Sequence, residues 1–207
     1  MTREEKASRV WWLILASAGG IVLVAIVVSL SPYGSLINRF VRALALFGYL
    51  NIFAATLSSM YLRQLVTYFG RPFVQVHHVM SVTGLVVIAL HPVAFALQRG
   101  TVSVFVPDFG SWSSFFANGG RVAIYLIMLA AVAARLRKAL GDWWRVVHML
   151  NFVGFWLGAV HAFLIGTEFV SIPAKALLVV LAVITVAVFA TNRIRRAKRR
   201  RPSRPAS

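Results

Sequence analysis

The sequence predicts an all-α integral membrane protein, a six-helix bundle, and three observations carry that expectation. Of 207 residues, 59% are apolar and 13% charged. Apolar runs of about twenty residues recur down the chain, each long enough as a helix to cross a hydrocarbon core about 30 Å thick. Basic residues flank these runs and gather in the C-terminal tail, so the net charge of +17 reads as membrane topology with anionic lipid at the tail and not as nucleic-acid binding. There is no cysteine, which excludes disulfides, zinc-thiolate sites, Cys-ligated iron–sulfur clusters and covalent haem attachment.

The elements follow in order. Residues 1–10 form a short polar, basic segment, and residues 11–192 hold the spans. Trp11 to Leu30 is the first span, too long for a signal-peptide core and without a clear small-residue cleavage site. Ser31 to Asn38, with Pro32 and Gly34, is a turn. Phe40 to Leu62 is the second span, with Asn51, Thr56, Ser58 and Ser59 suited to contacts between helices. Leu62 to Arg71 is a basic connection, and Pro72 opens the third span at a position where a helix tolerates proline. That span runs to Gln98, and Pro92 within it removes a backbone donor and should kink or loosen it. Arg99 to Gly120 is the longest loop, rich in Gly, Ser and aromatics. Arg121 to Ala134 is the fourth span, Gly141 to Gly166 the fifth and Ile172 to Thr191 the sixth, and 193–207 is a basic tail too charged to pack. Asp142, ahead of a run of helix formers, reads as an N-cap. With both termini inside, 17 Lys and Arg lie on the inner side and only Arg39, Arg42, Arg99, Arg121 and Lys175 on the outer side, which fits the positive-inside rule and places the chain in the cell membrane with cytoplasmic termini.

Histidines set the functional expectation. His77 and His91 stand fourteen residues apart in the third span, and His148 and His161 thirteen apart in the fifth. Ionisable side chains at that depth are costly and face the bundle interior with a partner. Fourteen steps of about 100° return His91 to within roughly 40° of His77. His78 is thirteen residues from His91 and about 140° away, so His77 is the better inner candidate. The same geometry requires a bulge or bend in the fifth span for His148 and His161 to face one groove, with Gly154 and Gly158 as places where it can form and where a porphyrin face can sit. His77 would meet His148 at the inner leaflet, and His91 would meet His161 at the outer. Two stacked bis-imidazole pairs suit two b-type haems with both axial positions filled, an arrangement for moving electrons. Arg145 and Arg121, at the inner and outer boundaries, are candidate partners of haem propionates or of lipid headgroups.

The paired histidines at these spacings, together with LHPVAFAL around His91 and LGDWWRVVHMLNFVGFWLGAVHAFL across His148 and His161, resemble the ferric reductase-like transmembrane domain of ferric reductases, NADPH oxidases and the bacterial haem subunit MsrQ. The resemblance spans about Phe40 to Thr191. It implies haem b as cofactor and electron transfer from a cytoplasmic donor to an outer acceptor. Many relatives continue into a flavin and nicotinamide module. Here no G-x-G-x-x-G occurs, so the expected donor is a separate cytosolic flavin reductase, with flavin on that partner, or membrane quinol. Expected acceptors are ferric chelates, oxygen or an external reductase docking on the Arg99–Gly120 loop; in a MsrQ-like role that partner would repair oxidised methionine. The expectation from another class is a haem-free transporter whose histidines relay protons. The absence of carboxylates within the spans weighs against it.

Overall fold

The computed structural model describes residues 3–30, 34–69, 72–166, 169 and 172–200; for 3–14, 72, 173 and 196–200 it describes the backbone alone. Among the described residues the fold is all-α. It comprises α1 (Arg3–Ser29), α2 (Leu36–Met60), α3 (Leu62–Phe69), α4 (Pro72–Arg99), a 3-10 turn (Ser103–Phe105), α5 (Trp112–Ala117), α6 (Gly119–Arg135), α7 (Arg137–Leu140), α8 (Trp143–His148), α9 (Leu150–Ile165) and α10 (Ile172–Arg200). Four helical segments are long and apolar enough to cross a membrane, Leu36–Met60, Phe73–Arg99, Trp143–Ile165 and Ala174–Arg195. That number is the signature of a multi-pass membrane protein. The expected first span lies in the 27-residue α1, and the expected fourth is the 17-residue α6.

Several boundaries differ from expectation for physical reasons. The basic connection 62–69 is a helix, α3, which packs on α4 and stacks Phe69 on Phe73 at 5.1 Å. The helix of the last span continues to Arg200, eight residues into the expected tail, because arginine, lysine and alanine are good helix formers. α4 runs through Pro92 without a break. Asp142 does not cap: its backbone is already helical (φ −73°, ψ −19°), and its side chain makes no cap bond. A capping carboxylate needs an extended backbone to reach back to the first turn. Residues 31–33 of the expected turn, Arg71, Glu168 and residues 201–207 lie outside the described residues.

The helices pack as two tight antiparallel pairs. Where α2 crosses α4, a methyl at Gly48 would come within 2.8 Å of the Ile88 backbone nitrogen, and one at Gly84 within 3.1 Å of the Ile52 nitrogen. Reciprocal glycines of this kind let two membrane helices meet backbone to backbone. Where α6 crosses α9, Gly154 fills the same role against Ile127 and the Ala123 carbonyl. Gly154 is therefore a packing residue and not the site of a bend. α2 also packs on α9, and α6 on α4, so α2, α4, α6 and α9 close a ring with the two histidine-bearing helices α4 and α9 at opposite corners. Tyr49 of α2 stacks on Phe155 of α9 at 4.7 Å, midway along the ring, a contact worth about 1 kcal/mol beyond its burial. α1 and α10 flank α2.

Candidate functional site

α4 is two-faced. Its exposed residues include Val79, Val82, Val86, Val93 and Leu97, which fall within about 40° of one line down the helix and form its lipid side. The opposite line carries His77, Gly84 and His91 at seven-residue steps, and it is this line that meets α2. The expectation that His77 and His91 share a face is met.

Each of the four histidines is half-buried, and each has its Nδ1 tied to the neighbouring helix. His91 Nδ1 lies 3.1 Å from the Val41 carbonyl, His148 Nδ1 3.0 Å from the Ala130 carbonyl, and His161 Nδ1 2.6 Å from the Ala117 carbonyl. A carbonyl oxygen only accepts, so all three Nδ1 atoms donate. His77 Nδ1 is 3.1 Å from Ser58 Oγ. That hydroxyl gives its own hydrogen to the Ala55 carbonyl at 2.9 Å, so its oxygen accepts from His77. An Nδ1–H tautomer puts the basic lone pair on Nε2 and leaves that atom able to ligate a metal, and a backbone carbonyl on the opposite nitrogen is the usual way a metal-ligating imidazole is aimed. The Asn151 amide lies 3.4 Å from His148 Nδ1 as well.

The two tethers of the second pair match in register. Ala117 and Ala130 are thirteen residues apart along α5 and α6, as His148 and His161 are along α8 and α9. The bend this requires sits at Met149, between α8 and α9. There the Phe152 N–H bonds the Met149 carbonyl, three residues back, at 3.0 Å. Such a turn advances about 120° per residue in place of about 100°, so three tightened residues recover roughly 60° of the 140° mismatch. The bend falls next to His148, and neither glycine makes it. Gly158 instead borders open space, with no atom within 4 Å of where its Cβ would lie.

His78 is exposed, its ring 5.8 Å from that of His77. Trp144 packs its indole 5.7 Å from the His148 ring and carries the Arg145 guanidinium 5.6 Å from its own centre. Arg145 also pairs with Asp142 at 2.5 Å, but both side chains are largely exposed, 66% and 94%, and such a pair contributes little. Arg121 donates to the Val106 carbonyl at 2.7 Å and so fastens the loop between α4 and α5 to α6.

Among the described residues no three His, Cys, Asp or Glu side chains gather closely enough to hold a bare metal ion. A porphyrin iron needs only two protein ligands, and imidazoles with their lone pairs on Nε2 fit that demand. Four participants were not foreseen from sequence: the carbonyls of Val41, Ala117 and Ala130, which any residue would supply, and Gly120. A Cβ on Gly120 would come within 2.7 Å of the His161 ring, and the only sequence signal for it is the Gly119-Gly120 pair at the head of α6. No protein-family model, curated protein or solved structure matches the chain.

Proposed function

We propose that this protein is a transmembrane electron-transfer subunit in which His77 with His148, and His91 with His161, each hold one b-type haem. The observation that carries the reading is the common state of four intramembrane imidazoles, each fixed through Nδ1–H to an adjacent helix with its lone pair on Nε2. Histidines that only glued helices together would not need one shared tautomer. Histidines relaying protons would need carboxylates, and the chain's five acids, Glu4, Glu5, Asp108, Asp142 and Glu168, all lie towards the ends of spans or outside them.

In this reading the bundle has six spans with α1 and α6 among them, and basic loops hold both termini in the cytoplasm. The haem supplies reversible one-electron chemistry when bound. The chain's own residues hold it, aim the imidazoles, and keep water away with the apolar walls of α2 and α6. Arg145 at the inner boundary and Arg121 at the outer would hold the propionates by charge-assisted hydrogen bonds. The donor is a flavin reductase or quinol at the inner face. The acceptor, whether ferric chelate, oxygen or an external reductase in a MsrQ-like role, meets the outer loop. The test is the reduced-minus-oxidised spectrum of detergent-purified protein with pyridine-haemochrome stoichiometry. Two haems per chain, falling to one in His148→Ala and in His161→Ala, is the expected result. A folded, haem-supplied protein that binds none overturns the proposal.

A further inference from the structure

The outer loop contains a compact polar knot. Asp108 accepts hydrogen bonds from the Ser114 hydroxyl, from the Gly110 N–H at 2.9 Å and from the Asn118 amide at 3.5 Å. Ser111 caps α5 by accepting from the Ser114 N–H at 3.1 Å, and the Asn118 amide donates to the Ser114 carbonyl at 3.1 Å. Asp108 thus grips both ends of α5, its first turn through Ser114 and its C-cap through Asn118. Between them lies Ala117, whose carbonyl receives the His161 Nδ1–H at 2.6 Å. Gly120 supports the same ring from the face, where any side chain would displace it.

We propose that Asp108 is a positioning residue for the outer imidazole: by fixing α5 it fixes the Ala117 carbonyl, and through that carbonyl the orientation of His161. A loop that served only to connect two spans would need no carboxylate at its centre. Asp108 is the one acid between Glu5 and Asp142, and three donors converge on it. Arg121, the nearby cation, spends Nη1 on the Val106 carbonyl at 2.7 Å, and Tyr125 donates to the Phe105 carbonyl at 2.8 Å. The two side chains clamp the opposite end of the loop to α6 and leave the α5 end to Asp108.

The electrochemical consequence rests on the haem reading, and the contact itself does not. Potentiometric titration and electron paramagnetic resonance of Asp108→Ala are expected to shift one of two haem waves and the matching low-spin ferric signal, with the other haem unchanged. Asp108→Asn, which keeps one oxygen acceptor, for the Gly110 N–H or for the Ser114 hydroxyl but not for both, is expected to restore part of that shift. Ser114→Ala removes a single donor, and serves if Asp108→Ala fails to fold. Waves and signals superimposable on wild type in Asp108→Ala, or in Ser114→Ala where that variant stands in, overturn the inference. A wild-type chain that purifies without haem ends the haem reading instead, and the inference is then read by nitrogen-15 NMR of labelled histidines. Loss of the His161 Nδ1–H correlation in Asp108→Ala supports it, and an unchanged correlation overturns it.

Discussion

On the two-haem reading proposed above, replacing Gly120 by alanine should weaken the haem held by His161 and leave the one held by His148 in place. The added methyl would lie 2.7 Å from His161 Cδ2 and 2.9 Å from Nε2, where ordinary contact begins at 3.4 Å, so the ring must withdraw by about 0.7 Å. The methyl lies over the ring face, so that movement is across the Nδ1 to Ala117 bond and lengthens it only from 2.6 Å to about 2.7 Å, within the usual range. The cost is the crowding of the ring against the methyl, about 1–3 kcal/mol. At about 1.4 kcal/mol per factor of ten, the proposed outer site should bind haem roughly 5- to 150-fold more weakly. Alanine is the better helix former, so α6 itself is not weakened. His148, on the far side of the Tyr49–Phe155 stack, should not respond. The assay is haem stoichiometry with a potentiometric titration. Two haems at wild-type potentials in Gly120→Ala would refute the placement of His161 against this glycine.

The other predictions concern single groups. The Tyr49 hydroxyl is buried with no hydrogen-bond partner among the described residues, so Tyr49→Phe should leave thermal stability in detergent unchanged or raise it by about 1 kcal/mol; a fall of that size would mean that the hydroxyl has a partner in the holoprotein. At Gly158 a methyl meets no protein atom. Gly158→Ala should therefore stabilise the haem-free protein by up to about 1 kcal/mol while lowering haem occupancy, and equal occupancy would remove the porphyrin from that face. The Ser114 hydroxyl first, then the Gly110 N–H and Arg121, hold the Asp108 carboxyl below its ordinary 3.8. A depressed carboxyl stabilises the fold above its unfolded value and stops doing so as pH falls through the lower folded value. Hydrogen exchange in 103–120 should stay protected above 3.8 and open on further acidification, whereas in Asp108→Asn this pH dependence should vanish.

Much of this molecule is legible in its residues because helices in lipid leave few choices. The line of His77, Gly84 and His91 could be drawn on α4 before any coordinate, since period and polarity decide which face turns away from lipid. The thirteen-residue spacing likewise required a distortion in the fifth span, but not where. The tightened turn at Met149 depends on how α8 and α9 each meet α6, which is a tertiary matter. Two glycines with the same letter proved to differ, Gly154 closing a helix crossing and Gly158 bordering space. Least legible were the tethers, because a backbone carbonyl carries no residue identity. α5 and the grip of Asp108 were hidden for a related reason: within a Gly- and Ser-rich loop, hydrogen bonds between near neighbours decide the path, and hydrophobic periodicity is silent there.

The pairing of helices also has a consequence for assembly. α2 with α4, and α6 with α9, are each sequential antiparallel hairpins sealed by glycine crossings, and the histidines of each half are aimed by groups of that half, the Ser58 hydroxyl and Val41 carbonyl in the first and the Ala117 and Ala130 carbonyls in the second. The α2 with α4 hairpin can enter the bilayer and reach its final form before the α6 with α9 hairpin emerges from the ribosome. In the proposed holoprotein each haem draws one ligand from each hairpin and acts as a rivet between two finished halves. Haem supply would then govern not how the helices fold but how firmly the halves hold together, because without it they are joined only by the Tyr49–Phe155 stack and the packing of α2 on α9, of α6 on α4 and of α10 on both.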